Sequence, residues 1–302
     1  MLRIALCLSW FACATAWADI TIDGTHSPGL SGGIDRQVIY LKEDQMRIDQ
    51  LTVKAQDGKN TDRVDSSMLI RFSGRPSGWL FIDHDSMRVQ MLSSLREIDT
   101  AQTPEAGSAP SASSVRVVEQ DETREILGHT AHRYDFAFAG NVDPLALLGQ
   151  QLSPGMAGMI SIKLQVTGTS WVAPDMQGAR ELAAFFAQLS HRQLTLGMLG
   201  PTPPEAAQEL SLLSPGLSSA LTEVLARITT AGFPLLTQTH SDMRVDMEGA
   251  MADMIQGMLD AMGIGGPHST ESVVTGVHGG DLPPDLFYDG LLPKGYSLNT
   301  PQ

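Results

Sequence analysis

Cysteine is almost missing from this chain of 302 residues, and both of its cysteines, Cys7 and Cys13, stand within the first 18 positions. Without these two, the rest of the chain has no disulfide and no thiolate metal site. A protein of this size without cross-links is stabilised by burial of apolar side chains and by backbone hydrogen bonds. The absence therefore excludes the disulfide-rich secreted domains and the cysteine-based zinc modules.

The start of the chain has the pattern of a secretory signal peptide. A positive start and an apolar run over 4–14 precede the Ala-Trp-Ala sequence at 16–18, which has the small residues that a signal peptidase requires. The pattern predicts cleavage after Ala18 and an exported, periplasmic protein that begins at Asp19. Lipid attachment at Cys13 is the alternative, but the bulky aromatic residues before that position fit a lipoprotein signal poorly.

The chain also lacks a second long apolar run and an excess of positive charge. No stretch of about 18 apolar residues follows the signal peptide, so we expect no transmembrane segment. Cleavage removes Arg3 and no acid, so 19 of the 20 Lys and Arg residues remain against 34 Asp and Glu residues, a formal net charge of −15. Nucleic acid and anionic membrane surfaces repel such a chain, so we expect no nucleic-acid partner.

Apolar and polar residues alternate with a period of two in several parts of the first half of the chain. The apolar members of these runs are Met46 and Ile48; Met87, Val89 and Met91; Tyr134, Phe136 and Phe138; and Ile160, Ile162, Leu164 and Val166. The period predicts an antiparallel sheet that is packed on one face and in contact with water on the other. In this interpretation, Arg47 and Asp49 lie on the wet face.

Helical and irregular segments complete the predicted organisation. A helical insert is predicted over 176–231, where apolar residues follow the spacing of one helix face, and Gly232 is predicted to end it. The small, polar residues 100–114 are predicted to form a mobile, dispensable loop between two strands. Residues 142–159 and 246–266 are apolar and rich in Gly and Met, so they either fold over one end of the sheet or form a binding surface.

Several weak motifs follow one another in a recognisable order. They are Glu125-Ile126-Leu127-Gly128-His129, His132-Arg133-Tyr134, Trp171-Val172-Ala173-Pro174-Asp175, Gly232-Phe233-Pro234-Leu235, Leu286-Phe287 and Pro293-Lys294-Gly295-Tyr296. This order resembles an uncharacterised family of exported bacterial proteins related to the lipoprotein-carrier (LolA/LolB-like) fold. The resemblance implies one α+β domain over 19–302, a curved, incomplete antiparallel β-barrel with helices that plug its concave face. The carriers use the hydrophobic cavity between sheet and helices for acyl chains.

Two sequence patterns resemble a catalytic motif and a metal-binding motif, but the predicted structure around them does not fit either one. Gly29-Leu30-Ser31-Gly32-Gly33 matches a hydrolase nucleophile pattern, which needs a helix after it, whereas a strand-like run follows here. His129 and His132 are three residues apart, so in a strand they point to opposite faces and cannot hold one metal ion. We therefore expect a non-enzymatic protein without a cofactor or a metal site.

A stripe of methionines marks the second Met-rich segment. Met247, Met251, Met254, Met258 and Met262 fall within an arc of about 80° on a predicted helix. Three interpretations remain open. The stripe packs as an ordinary amphipathic helix, it forms an adaptable lid over an apolar ligand, or its soft thioethers hold Cu(I).

The leading hypothesis is a periplasmic protein that binds a lipid or the acyl chains of a lipoprotein in its barrel cavity. The predicted ligand-binding residues are Phe185 and Phe186 of the helical insert, and Met251, Met254 and Met258 of the methionine stripe. The second hypothesis is a cell-envelope interaction protein whose cavity is filled by its own side chains. Binding of Cu(I) by the methionine stripe is the third.

Overall fold

The computed structural model of the protein describes residues 19–27, 35–56, 59–72, 78–93, 115–148, 158–191, 215–261, 265–288 and 294–299. The predicted signal peptide and the predicted loop at 100–114 lie outside these residues. Within them the chain forms twelve strands, which are β1 (Ile20–Ser27), β2 (Asp35–Lys42), β3 (Gln45–Gln56), β4 (Lys59–Arg71), β5 (Gly78–Asp83), β6 (Arg88–Ser93), β7 (Arg116–Ile126), β8 (His129–Val142), β9 (Ile162–Ala173), β10 (Phe233–Val245), β11 (Gly266–Gly279) and β12 (Ser297–Asn299).

All of these strands belong to one open sheet, in the order β12-β6-β5-β4-β3-β2-β1-β11-β10-β9-β8-β7. Neighbouring strands pair antiparallel, except that β12 adds to β6 in parallel. The chain starts in the middle of the sheet at β1 and runs outward to β6. It resumes at β7, at the opposite end of the strand order, and returns to β11, which pairs with β1. We call β1–β6 with β12 the first half of the sheet and β7–β11 the second half.

The connection between β6 and β7 contains the predicted loop at 100–114. It joins β6 to β7, which lie at opposite ends of the strand order. That the loop is mobile and dispensable stays a prediction.

Helices complete the described part of the chain. They are α1 (Pro144–Leu148), α2 (Ala179–His191), α3 (Pro215–Ala231), α4 (Ala250–Ala261) and the 3-10 turn Pro284–Phe287. In the described part of the insert predicted over 176–231, residues 176–178 form a turn, and the rest forms α2 and α3. Gly232 follows α3 with φ at 155°, and a Cβ there would lie 2.6 Å from the Ala173 carbonyl oxygen. Glycine is therefore the residue that fits where α3 turns into β10.

The inner face of the sheet, which faces α2 and α3, carries the main hydrophobic core. Helix α2 packs on α3, and α3 packs on β7, β8, β9 and β10. From the first half, Phe72 at the end of β4 contacts Phe185 of α2, with ring centroids 4.8 Å apart. One buried cluster joins both halves through residues such as Ile22, Ile48, Ile70, Phe136, Val166 and Val224. Because one pair of helices contacts both halves, the sheet is curved around them, and the predicted α+β class with a curved antiparallel sheet is confirmed.

The second half of the sheet confirms the predicted alternation. On the inner side Ile162 and Val166 of β9 are buried, and Leu164 between them is half-buried. On the outer side Lys163 and Thr167 are exposed. The period-two pattern therefore gives the correct sidedness here.

The prediction of a wet face is wrong for the part of the first half around Arg47 and Asp49. Arg47 and Asp49 lie on the outer face, yet only 6% and 2% of their surfaces are exposed. Residues 281–288 and 294–299, which we call the C-terminal cover, lie against this face through side chains that include Phe287, Tyr288 and Tyr296. The cover is far away in the sequence, so the local alternation cannot reveal it. It encloses a second apolar cluster, formed by Leu69, Leu80, Ile82, Val89 and Phe287.

The predicted strand position of Met87 is also wrong. Met87 lies in the turn before β6, with φ at 51°, and is 52% exposed. Asp83 holds this turn through hydrogen bonds from the backbone N–H groups of Asp85 and Ser86, at 2.9 and 3.0 Å. The short polar side chain of Asp83 thus fixes a tight turn. The alternation of β5 ends at this turn, and that of β6 begins after it.

Candidate functional site on the inner face of the sheet

A cleft lies between α2 and the middle of the sheet, where the two halves meet. Its lining is mostly apolar and comes from β1, β2, β3, α2, β10 and β11, through Ile22, Gly24, Thr25, Gln37, Ile39, Met46, Leu182, Phe233, Pro234, Thr237, Ser272, Val273 and Val274. The cavity volume is about 50 Å³. That is room for one or two water-sized groups, so a larger ligand has to displace side chains.

Gln37 is the unusual residue of this cleft. It lies on the inner face of β2, in register with Gly24 of β1 and Gln50 of β3, and is 4% exposed. Its amide nitrogen Nε2 is buried and has no hydrogen-bond partner in the described part of the chain. An unsatisfied buried donor is destabilising by about 1–3 kcal/mol, so such groups are rare and call for an explanation.

Two of the three hydroxyl side chains in the lining, those of Thr237 and Ser272, are paired with other side chains. Thr237 Oγ1 lies 3.0 Å from Ser170 Oγ, and Ser272 Oγ lies 2.8 Å from His26 Nδ1. These pairs connect β9 with β10 and β1 with β11 on the inner face of the sheet. These two pairs organise part of the polar side of the cleft, and the Gln37 amide is an open donor in its lining.

A second, smaller cavity adjoins the cleft. Its volume is about 20 Å³, and it shares Pro234, Thr237 and Ser272 with the cleft while α3 lines it with Val224, Leu225 and Ile228. Strand pairing is irregular beside both cavities, with register shifts at Asp23/Gly24 in β1 and at Pro234/Leu236 in β10. Such bulges re-aim side chains and occur often beside binding sites. Together the cavities trace a line below α2 and α3.

The two predicted phenylalanines are part of the core and do not line the cleft. Phe185 is 0% exposed and Phe186 is 1% exposed, and their rings meet edge to face with centroids 6.3 Å apart. Their neighbour Leu182, one helical turn earlier on α2, does line the cleft. The inner face of the sheet is therefore filled largely by the protein's own side chains.

The predicted methionine residues lie on α4, away from the cleft lining. Helix α4 packs on β10 and buries Ala252, Ile255 and Leu259. Met251 and Met258 are half-buried beside this face, whereas Met254 is 51% exposed. The stripe is thus rotated away from the buried face of the helix. Met262 lies outside the described residues.

The outer face of the first half holds a buried polar network under the C-terminal cover. Arg47 Nε donates to Asp49 Oδ1 at 2.6 Å, and Arg47 Nη1 donates to the Leu286 carbonyl oxygen of the cover at 2.7 Å. The Arg47 guanidinium also lies 5.0 Å from the centroid of the Tyr288 ring. Burial alone would lower the pKa of Arg47, but the hydrogen bond and the charge of Asp49 raise it above its usual value.

Ser67 and His84 of this network superficially suggest a nucleophile and its base. Ser67 Oγ lies 2.7 Å from His84 Nε2, but it donates its own hydrogen to Asp49 Oδ1 at 2.5 Å. His84 therefore donates to Ser67, and its Nδ1 accepts from the Tyr296 hydroxyl at 2.7 Å. Burial, and then the positive charge of Arg47, lowers the pKa of His84 and favours this neutral form. Since Ser67 is 1% exposed, the arrangement is structural.

A wider groove, of about 820 Å³, lies against the outer face of β8–β11 and is lined mostly by polar residues. Its charged side chains have hydrogen-bond partners: Arg133 donates to Asp135, and the neutral Gln238 amide donates to Glu271. In the described part of the chain, no group of three His, Cys, Asp or Glu side chains is placed to hold a metal ion. No described helix is long and apolar enough to cross a membrane.

Sequence reasoning missed Gln37, although a signal was present. Gln37, Ile39 and Leu41 occupy alternate positions, and the structure places all of them on the inner face of β2. A polar residue at one of the apolar positions of an alternating strand is the sequence signal of such a site. The strand itself was expected, because a strand-like run was predicted after the Gly-rich residues 29–33.

Comparisons with known proteins add little to this geometry. No family model matches the sequence, and no curated protein matches it. Two solved structures of PNGF-II, in space groups C2 and P21, are similar over 94% of this chain, with 11% identity and TM-scores of 0.33 and 0.31. The chain spans 31% and 32% of the length of those chains. Similarity at this level carries no argument about function.

Proposed function

We propose that this is a non-enzymatic, exported protein that binds a hydrophobic ligand on the inner face of its sheet. The observation that carries the proposal is an apolar cleft whose lining contains a buried amide donor without a partner, at Gln37. Small-molecule sites have this character, since apolar walls provide affinity and a few polar groups fix the orientation. The predicted signal peptide supports a periplasmic location.

The proposal uses the resemblance to the lipoprotein-carrier fold for its geometry. In that view the curved sheet is an incomplete barrel, and α2 and α3 plug its concave face. A ligand larger than the cavity of about 50 Å³ has to move side chains of the lining. Met46 is the most adaptable side chain of the lining, because an unbranched thioether changes its rotamers at low cost.

A second candidate function also has a specific observation in its favour. Phe185 and Phe186 are fully buried against the sheet, and the cavities are small. These features fit an envelope interaction protein whose core is filled by its own side chains. The two candidates differ in one measurable property, which is whether the protein takes up an apolar molecule.

Two experiments test the leading proposal. Mass spectrometry of a solvent extract of protein purified from its native compartment should detect a co-purified lipid, and calorimetry should detect binding of methyl hexanoate. The cleft-filling variant Ile39→Phe should lose this binding. The matched variant Ile126→Phe, in β7 and outside the cleft lining, should keep it. Absence of both lipid and binding in the wild-type protein would favour the second candidate.

A further inference from the structure

The chemistry of the cleft narrows the class of its ligand. None of the described residues that line it carries a charge. His26 is not part of the lining, and its Nδ1 is engaged with Ser272. A carboxylate or a phosphate that entered would lose its hydration without gaining a counter-charge, which is strongly unfavourable in an apolar space. The cleft is therefore suited to a neutral group and not to an anion.

The hydrogen-bonding groups of the cleft narrow the class of its ligand further. Gln37 Nε2 can only donate, and it has no partner among the described residues. A carbonyl oxygen can only accept, so a carbonyl pairs with this amide and leaves no hydrogen unsatisfied. A hydroxyl group would also need an acceptor for its own hydrogen, so a carbonyl is the simpler partner for this single donor.

We infer that the cleft binds the neutral acyl group of an ester or an amide, with the carbonyl oxygen accepting a hydrogen bond from Gln37 Nε2. This inference rests on the proposed function, because it specifies the ligand of the same cleft. The apolar part of the ligand lies against Ile39, Leu182 and Phe233, which line the cleft beside Gln37. Recognition thus depends on a neutral carbonyl, and a free fatty acid is discriminated against.

The test compares three probes of similar size in calorimetric titrations of the purified protein: methyl hexanoate, hexanoate and heptane. The wild-type protein should bind methyl hexanoate most tightly. Gln37→Met keeps the side-chain length but removes the amide, so it should weaken methyl hexanoate binding about tenfold and leave heptane binding unchanged. Gln50→Met is the matched control, because Gln50 is on the same face of β3, bonds to Ser66 and does not line the cleft. It should leave all three affinities unchanged.

The same variants have a second readout in the absence of ligand. Gln37→Met removes an unsatisfied buried donor, so the melting temperature should rise by about 3 °C while ester binding falls. A purely structural role of Gln37 would move both quantities down. A lower melting temperature with normal ester binding would show that the amide holds a buried water, and the inference would be wrong.

The remaining outcomes distinguish a failure of this inference from a failure of the proposed function. Equal affinity for methyl hexanoate and heptane, unchanged in Gln37→Met, would overturn the carbonyl assignment and leave hydrophobic ligand binding intact. Tighter binding of hexanoate than of its methyl ester would overturn the neutral-ligand assignment in the same way. If the wild-type protein binds none of the probes, the proposed function fails and the inference fails with it.

Discussion

The two halves of the sheet place polar residues on their outer faces in opposite environments. In the second half, Thr167 and Gln238 of the outer face are exposed. In the first half, Arg47 and Asp49 occupy equivalent alternate positions of a strand but are buried under the C-terminal cover. The same period-two pattern thus produces a solvated face in one half and a charged interior in the other. What differs is a segment that is remote in the sequence.

This difference has an energetic consequence. An exposed ion pair such as Arg133 with Glu122 is screened by water and contributes little. The Arg47–Asp49 pair is desolvated, and hydrogen bonds to Ser67 and to the Leu286 carbonyl oxygen compensate it. Removal of one partner would leave the other charge buried without compensation. Substitutions of the polar residues under the C-terminal cover should therefore be severe, and those of polar residues on the outer face of the second half should be mild.

The largest expected effect tests the sidedness of the second half. Ile162→Asp places an unpaired carboxylate in the main core, where Ile162 is 0% exposed, and should lower the free energy of unfolding by more than about 4 kcal/mol. Thr167→Asp introduces the same residue on the exposed face of the same strand, β9, and should change it by less than about 1 kcal/mol. Urea unfolding measures both. Equal losses would mean that the outer face of the second half is also covered.

The next effect tests the covered face of the first half. Asp49→Ala leaves Arg47 buried without its carboxylate and should reduce the free energy of unfolding by about 3–5 kcal/mol. The control is Glu223→Ala, which removes the exposed pair with Arg227 on α3 and should reduce it by less than about 0.5 kcal/mol. A small loss for Asp49→Ala would show that the cover opens readily to water.

The contrast between the halves also explains which parts of the fold were predictable. Local patterns located the strands around Phe136 and Ile162, the helical stripes of α2 and α3, and the end of α3 at Gly232. These features depend on neighbours in the sequence. The strand order with β1 in the middle and the cover over Arg47 depend on contacts between residues more than 200 positions apart, such as Arg47 with Leu286. No local period contains that information.

The candidate site was less predictable than the fold for a related reason. Aromatic and methionine residues were natural candidates for an apolar site, but Phe185 and Phe186 fill the core, and Met254 points away from it. Whether they contact a ligand remains a prediction. The cleft is instead marked by an ordinary glutamine, Gln37, whose significance comes from its missing partner. Whether a side chain has a hydrogen-bond partner depends on the assembled sheet, so the identity of one residue in the sequence gives only a weak signal of the site.

A smaller effect, on the pH dependence of stability, tests the burial of His84 under the C-terminal cover. The pKa of His84 is lowered, mainly by burial and then by the charge of Arg47, so the unfolded chain binds a proton more readily than the folded one below pH 6.5. The stability that neutral His84 contributes is fully present above pH 6.5 and is lost as the pH falls from there through the folded-state pKa. His84→Gln should flatten this part of the stability–pH curve. An unchanged slope would show that other groups cause the pH dependence.

The smallest effect concerns α4, which has one buried face and one open face on the second half of the sheet. Met254 is 51% exposed, so Met254→Ser should change the free energy of unfolding by no more than about 0.5 kcal/mol. Leu259→Ala, on the buried face of the same helix, should reduce it by about 2–5 kcal/mol. Joint replacement of Met251, Met254 and Met258 by Leu should preserve the fold, because each volume-conserving swap costs less than about 1.5 kcal/mol. Strong destabilisation by Met254→Ser would mean that the open face of α4 is covered, as the outer face of the first half is, and the contrast between the halves would no longer hold.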